Sequence, residues 1–174
     1  MNSQEEQLKQ LINNTESKRT LSGQHYNKNY FNNTFKPLLE LGQYFEKLAL
    51  ERIIKYYNYS NPKLKYNNDN RYDIKINNVK YEVKTDVKAI TSNNIFIEFI
   101  QNNKPSGITT SKAHFYIIVI PYKIPLFIMI EKLELEFLIV SSQFKFILQP
   151  TFKNKFTGGY IFDIQTIIKN SILI

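Results

Sequence analysis

The sequence predicts a fold of the α/β (α+β) class, a central mixed β-sheet flanked by helices. Three patterns carry that prediction. Apolar residues recur at helical spacing over 37–58, residues 80–85 alternate between polar and apolar, and 115–120 and 126–130 are unbroken apolar runs. Runs so short and so apolar fit strands covered on both faces. With 174 residues, 43% hydrophobic and 22% charged, the chain has ordinary globular composition and the length to close one sizeable core.

Residues 4–13 read as a short helix with Leu8, Leu11 and Ile12 on one side, and 14–34 as a loop or arm rich in Asn, Ser, Thr and Lys. The expected organisation is an N-terminal helix and arm over 1–34 and a single domain over 35–174. Thr34 suits an N-cap, and Pro37 falls in the first turn, where its missing N–H costs least. Leu38, Leu41, Phe45, Leu48 and Arg52 share one stripe of that helix, and Gly42, Glu46, Ala49 and Ile53 lie beside it. Glu51 and Lys55 are spaced as an ion pair on the outer face. Asn61-Pro62 ends the helix, which is expected to run to about Asn58.

Strands are expected over 63–66, 70–86 and 95–99. Lys104-Pro105-Ser106-Gly107 reads as a turn leading into a short helix at about 108–113. The apolar strands follow, then a helix over 131–141 and a strand over 144–148. Gly158-Gly159 reads as a turn before a strand over 160–163, with a short helix over 164–169.

The 23 basic residues exceed the 15 acidic ones by 8, and a surplus of that size favours a polyanionic partner such as DNA. Lysine-rich codon usage would produce the same charge. The chain has no Cys, which excludes disulfides, thiolate zinc sites and Cys nucleophiles. Met1-Asn2-Ser3-Gln4-Glu5-Glu6 is too polar for a secretory signal, and Pro121, Lys123 and Pro125 interrupt the most apolar region, so an intracellular soluble protein with no membrane segment is expected. The glycines lack the spacing of a phosphate-binding loop. His25 and His114 are isolated, and His114 reads as a packing residue. Tyr26, Tyr30, Tyr57 and Tyr59, interleaved with Lys28 and Lys55, are the aromatic candidates for nucleic-acid contact.

The chemistry concentrates in residues 71–84. Asn77-Asn78 is a good two-residue hairpin turn because Asn tolerates positive φ. Pairing Ile76 with Val79 then sets Asp73 opposite Glu82, on one sheet face with Cβ atoms about 4.5–5.5 Å apart. Lys84, two residues beyond Glu82, projects from the same face. Oxygen ligands with room for water suit Mg²⁺, and an adjacent Lys can hold a nucleophilic water and developing negative charge. The same three residues also suit a plain cross-strand charge cluster in which Lys84 compensates two carboxylates.

Asp73, then Glu82-Val83-Lys84 on the next strand, resembles the signature of the PD-(D/E)XK nuclease superfamily, with Tyr72 where the nominal Pro stands. Leu41-Gly42-Gln43-Tyr44-Phe45-Glu46 resembles the preceding helix that contributes a Glu in these enzymes. Ile97-Glu98-Phe99, Lys104 to Ile108 and Ser111-Lys112-Ala113 resemble the following stretch of phage- and virus-borne members, including resolvase-like ones. The likeness covers about residues 37–130.

It implies a restriction-endonuclease-like core and an Mg²⁺-dependent DNA endonuclease, with Mn²⁺ able to substitute. Asp73, Glu82 and the backbone carbonyl of Val83 would hold the metal, Lys84 would orient the attacking water, and Glu46 would hold a second ion or its water. Glu98 and Lys112 would be accessory. Structure-selective cutting in the manner of Holliday junction resolvases, in DNA recombination or repair, would call for a homodimer. The setting implied is the cytoplasm or a site of viral or phage DNA processing. The alternatives are a non-catalytic DNA-binding module, an exonuclease or restriction-type nuclease of the same fold, and an interaction protein whose charge cluster is structural.

Overall fold

The structure, a computed structural model, describes residues 36–66, 71–141, 144–151 and 155–174. The expected N-terminal helix, the arm, the cap at Thr34, and the residues His25, Tyr26, Lys28 and Tyr30 lie outside them. The chain divides into two compact units, Met1–Tyr44 and Phe45–Ile174. The described part of the first is the opening of helix α1 (Lys36–Tyr56), where Lys36 and Glu40 form an exposed i,i+4 ion pair at 3.9 Å.

The second unit is α+β and holds two sheets. In chain order come β1 (Leu64–Tyr66), β2 (Ile74–Ile76), β3 (Val79–Thr85), α2 (Ala89–Ser92), β4 (Asn94–Gln101) and β5 (Lys104–Pro105). A 3₁₀ turn (Gly107–Thr109), β6 (Phe115–Ile120), β7 (Leu126–Glu131), α3 (Lys132–Val140) and β8 (Lys145–Pro150) follow. β9 (Phe156–Asp163), α4 (Ile164–Lys169) and the two-residue β10 (Ile172–Leu173) complete it. The first sheet runs β1-β2-β3-β6-β7-β10 and is mixed, with β3 and β6 parallel and the other pairs antiparallel. The second runs β5-β4-β9-β8 and is antiparallel throughout.

The expectation of one central sheet is thus corrected. β4 alternates buried Ile95 and Ile97 with exposed Phe96 and pairs with β9, forming a half-covered antiparallel sheet of its own. The continuous apolar runs behave as expected, because both faces of β6 and β7 are covered. On one face Tyr116, Ile118, Ile120, Ile128 and Ile130 join Ile95, Ile97 and Phe162 of the second sheet and Leu135, Leu138, Ile164 and Ile167 of α3 and α4 in a single core. On the other face α1 lies against Phe127 and Met129. Phe45 meets Phe127 edge-on at 6.2 Å, the Arg52 guanidinium sits 4.9 Å above the same ring, and the Tyr57 hydroxyl donates to Met129 Sδ at 3.9 Å.

Three local expectations need correction. The turn after β4 is Asn102-Asn103, both at positive φ, and Lys104-Pro105 is the returning strand. The expected helix over 108–113 shrinks to the 3₁₀ turn. Gly107, at φ +52°, lies so close to the Glu98 carbonyl that a Cβ there would sit 2.1 Å from its oxygen. Gly158 and Gly159 are inside β9, where a Cβ on Gly159 would meet the Phe96 ring at 2.3 Å and the Ile97 carbonyl at 2.6 Å. Finally, α2 and β10 were not anticipated. α2 is held by Asp86, whose carboxylate accepts from the Ala89 and Phe96 N–H groups at 3.1 Å each. Among the described residues no helix is long and apolar enough to cross a membrane.

Candidate active site at the β2–β3 hairpin

Asn77 and Asn78 turn the hairpin with φ of +48° and +73°. Ile76 pairs with Val79, Lys75 with Lys80 and Ile74 with Tyr81, the register set by the turn. Regular pairing stops there, one residue short of Asp73. The Asp73 N–H donates to the Tyr81 carbonyl at 2.9 Å, and its Oδ2 accepts the Val83 N–H at 2.7 Å. Asp73 therefore fastens the open edge of β3 by a charge-assisted bond in place of a ladder bond. The N–H and C=O of one residue point to the same side of an extended strand, so the Val83 carbonyl faces the edge that Asp73 occupies.

Glu82 and Lys84 share a face of β3, with Lys84 Nζ 3.1 Å from Glu82 Oε1. The Glu82 side chain is 10% exposed and that of Lys84 is 46% exposed, so the pair runs from the interior to the mouth of the site. Glu46, on the α1 turn after buried Phe45, is half-buried. Its carboxyl is raised above the ordinary range by burial, then by the Asp73 and Glu82 carboxylates, with Lys84 opposing. Burial also raises Asp73, against the Val83 N–H and Lys84, and it raises Glu82, with Lys84 opposing and Asp73 adding. At Lys84 burial favours the neutral amine, but Glu82, Asp73 and Glu98 together outweigh it and the pKa rises.

Asp73, Glu82 and Lys84 act on one another, and Glu46 is shifted by all three while none of their own shifts traces to it, so Glu46 stands at the border of a cluster whose formal charge with it is −2 (three carboxylates and one ammonium, −3 + 1). Glu98 borders it, half-buried, felt by Lys84 and held by a 2.6 Å bond from the Ser106 hydroxyl. Lys112 stands apart. It follows the 3₁₀ turn in extended chain, its backbone N–H donates to the Arg71 carbonyl at 2.8 Å, and its side chain is exposed. None of the shifts at Asp73, Glu82 or Lys84 traces to it.

Comparison with protein-family models, with curated proteins and with solved structures returned no match.

What the arrangement can do follows from its donor atoms. Among the described residues no three His, Cys, Asp or Glu side chains close on one point. A cation here would rest on the Asp73 and Glu82 carboxylates and the Val83 carbonyl, an oxygen-only set that leaves positions for water. That composition fits Mg²⁺, which keeps several waters, better than zinc. His114 is used structurally, its Nδ1 accepting the Lys80 N–H at 2.9 Å while its backbone N–H donates to the Lys80 carbonyl at 2.8 Å. Tyr57 stacks on Tyr59 at 5.4 Å and meets Tyr56 edge-on at 4.9 Å, so these rings are packed on one another. Tyr116, inside the apolar run 115–120, shares the sheet face of Glu82. Only the parallel β3–β6 register reveals it, and no local sequence pattern encodes that register.

Proposed function

We propose that this chain is a metal-dependent deoxyribonuclease of the PD-(D/E)XK type, an endonuclease that hydrolyses phosphodiester bonds in DNA. One observation carries the reading: Glu82 and Lys84 lie side by side on one strand face, with Asp73 clamped to the residue between them. A merely structural pair would not need a second carboxylate at Asp73, and still less a third at Glu46, in a site whose burial already opposes negative charge. The surplus of −2 suits a divalent cation.

Asp73, Glu82 and the Val83 carbonyl would hold Mg²⁺, with Mn²⁺ as a substitute of the same ligand preference. The cation supplies a Lewis acid for a phosphoryl oxygen. Lys84, kept protonated by its carboxylate neighbours, holds the attacking water and meets charge developing on the phosphate. Glu46 positions a further water or ion at the mouth of the site. The net charge of +8 provides sequence-independent attraction to the DNA backbone. A resolvase-like enzyme would work as a twofold dimer, since two symmetric cuts require two sites.

The test is a panel of end-labelled linear, nicked, branched and circular DNAs incubated with Mg²⁺, Mn²⁺ or chelator. Cleavage of at least one substrate with metal, and none with chelator, is expected. DNA binding without cleavage on the whole panel would favour a non-catalytic binding module.

A further inference from the structure

Tyr116 is the Cα partner of Glu82 in the parallel β3–β6 pairing, and direct partners project from one sheet face. The residue is 1% exposed. Its hydroxyl is buried and its proton has no acceptor. The neighbouring Ser111 hydroxyl engages the Arg71 carbonyl at 3.3 Å and the Ala113 N–H at 3.2 Å. Burial pushes the Tyr116 phenol far up, the Ser111 hydroxyl eases the rise by facing the phenol oxygen as a donor, and the Glu82, Glu136 and Asp73 carboxylates add to it. The group is therefore an O–H donor at neutral pH whose proton meets no acceptor, on the sheet face that carries Glu82.

A buried donor without an acceptor costs free energy that a Phe of the same shape would avoid. The acceptor nearest in the register is Glu82, whose Oε1 is held by Lys84 at 3.1 Å. A divalent cation would compete with Lys84 for that carboxylate and reorient it. We propose that Tyr116 is a positioning residue whose hydroxyl donates to the Glu82 carboxylate once a divalent cation draws Glu82 away from Lys84. This rests on the proposed metal site and deepens it. The bond lost with the ammonium is replaced by one from the phenol, which fixes the ligand's orientation, as partners behind a metal ligand do.

A matched control is built into the fold. Tyr81, one residue before Glu82 on β3, is likewise a fully buried tyrosine, and it lies on the opposite face of the strand, stacked on Phe115 at 5.6 Å with its hydroxyl toward Tyr59. The experiment compares Tyr116→Phe and Tyr81→Phe in the full chain. Mn²⁺ affinity is read by calorimetric titration without DNA, and thermal stability by melting in chelator. Tyr116→Phe is expected to melt in chelator at or above the parent temperature and to bind Mn²⁺ roughly 10–100-fold more weakly. Tyr81→Phe is expected to bind Mn²⁺ as the parent does. Unchanged Mn²⁺ affinity in Tyr116→Phe, equal weakening in both variants, or a Tyr116→Phe melting point well below the parent's in chelator would each overturn the role of Tyr116 alone. A parent that binds no Mn²⁺ would overturn it together with the metal site.

Discussion

Replacing Lys84 by Met removes the one ammonium in a cluster of three carboxylates while keeping most of the aliphatic stem. The loss falls on Glu82, whose side chain is 10% exposed and whose Oε1 then faces Asp73 without the Nζ now 3.1 Å away. Breaking a fully buried pair in this way costs several kcal/mol, but Lys84 is 46% exposed, and water there reduces the loss to about 1–2 kcal/mol. In a chain of this size that lowers the melting temperature by roughly 2–8 °C.

The loss has a definite pH dependence. Glu46, Asp73 and Glu82 have native pKa values raised above their unfolded ones, so the native state is favoured at low pH and that gain fades as pH rises through the raised values. Removing Lys84 raises them further. Lys84 itself has a raised pKa, so its contribution in the parent is intact at neutral pH and is lost only as pH climbs through the lysine range. The melting-temperature gap between parent and Lys84→Met, measured in chelator, should therefore be full near pH 8 and shrink as the carboxyls protonate toward pH 4. Mg²⁺ near pH 8 should narrow it by standing in for the ammonium. A gap that is constant across pH, or that widens on acidification, would refute the coupled-charge account.

Gly159→Ala should destabilise by about 1–3 kcal/mol, because the new Cβ meets both the Phe96 ring and the Ile97 carbonyl; the urea midpoint reads this, and an unchanged midpoint would contradict it. Asn78→Val, at φ +73°, should cost about 1–2 kcal/mol by forcing a β-branched residue into the left-handed region, whereas Asn78→Gly should be neutral or stabilising in the same assay. Lys112→Ala should leave cleavage within about twofold of the parent while weakening DNA binding slightly, since the side chain lies outside the charge cluster; a large loss of turnover would bring Lys112 back into the site. DNA affinity should fall with salt at a log–log slope of several units, and flat binding between low and moderate salt would remove the electrostatic argument.

How far the residues themselves announced this structure depends on the range over which each signal acts. Asn77-Asn78 set the hairpin register because two positive-φ residues in a row specify a tight turn locally. The same signal at Asn102-Asn103 is masked by Lys104-Pro105, because Pro reads as a turn residue although it is tolerated on the short edge strand β5. Gly158-Gly159 looks like a turn, but its reason is the Phe96 ring two strand positions before Glu98 on β4, a contact across 63 residues (159 − 96) that no local pattern can carry. The second sheet was illegible for the same reason, since β4 and β9 meet only through long-range pairing. At the site, Glu82 and Lys84 followed from period-two alternation, and Asp73 from the turn. The capture of the Val83 N–H by Asp73, and the orphaned Tyr116 hydroxyl, needed coordinates.

The most direct measurement is cleavage and binding by Lys84→Ala beside the parent, on whichever labelled DNA the parent cuts fastest with Mg²⁺. One charge among 23 basic residues is lost, so binding in chelator should stay within about threefold of the parent. Turnover should drop below detection, because the group that holds the attacking water is gone. A Lys84→Ala protein that cuts as fast as the parent would contradict the assignment of this site to phosphodiester hydrolysis.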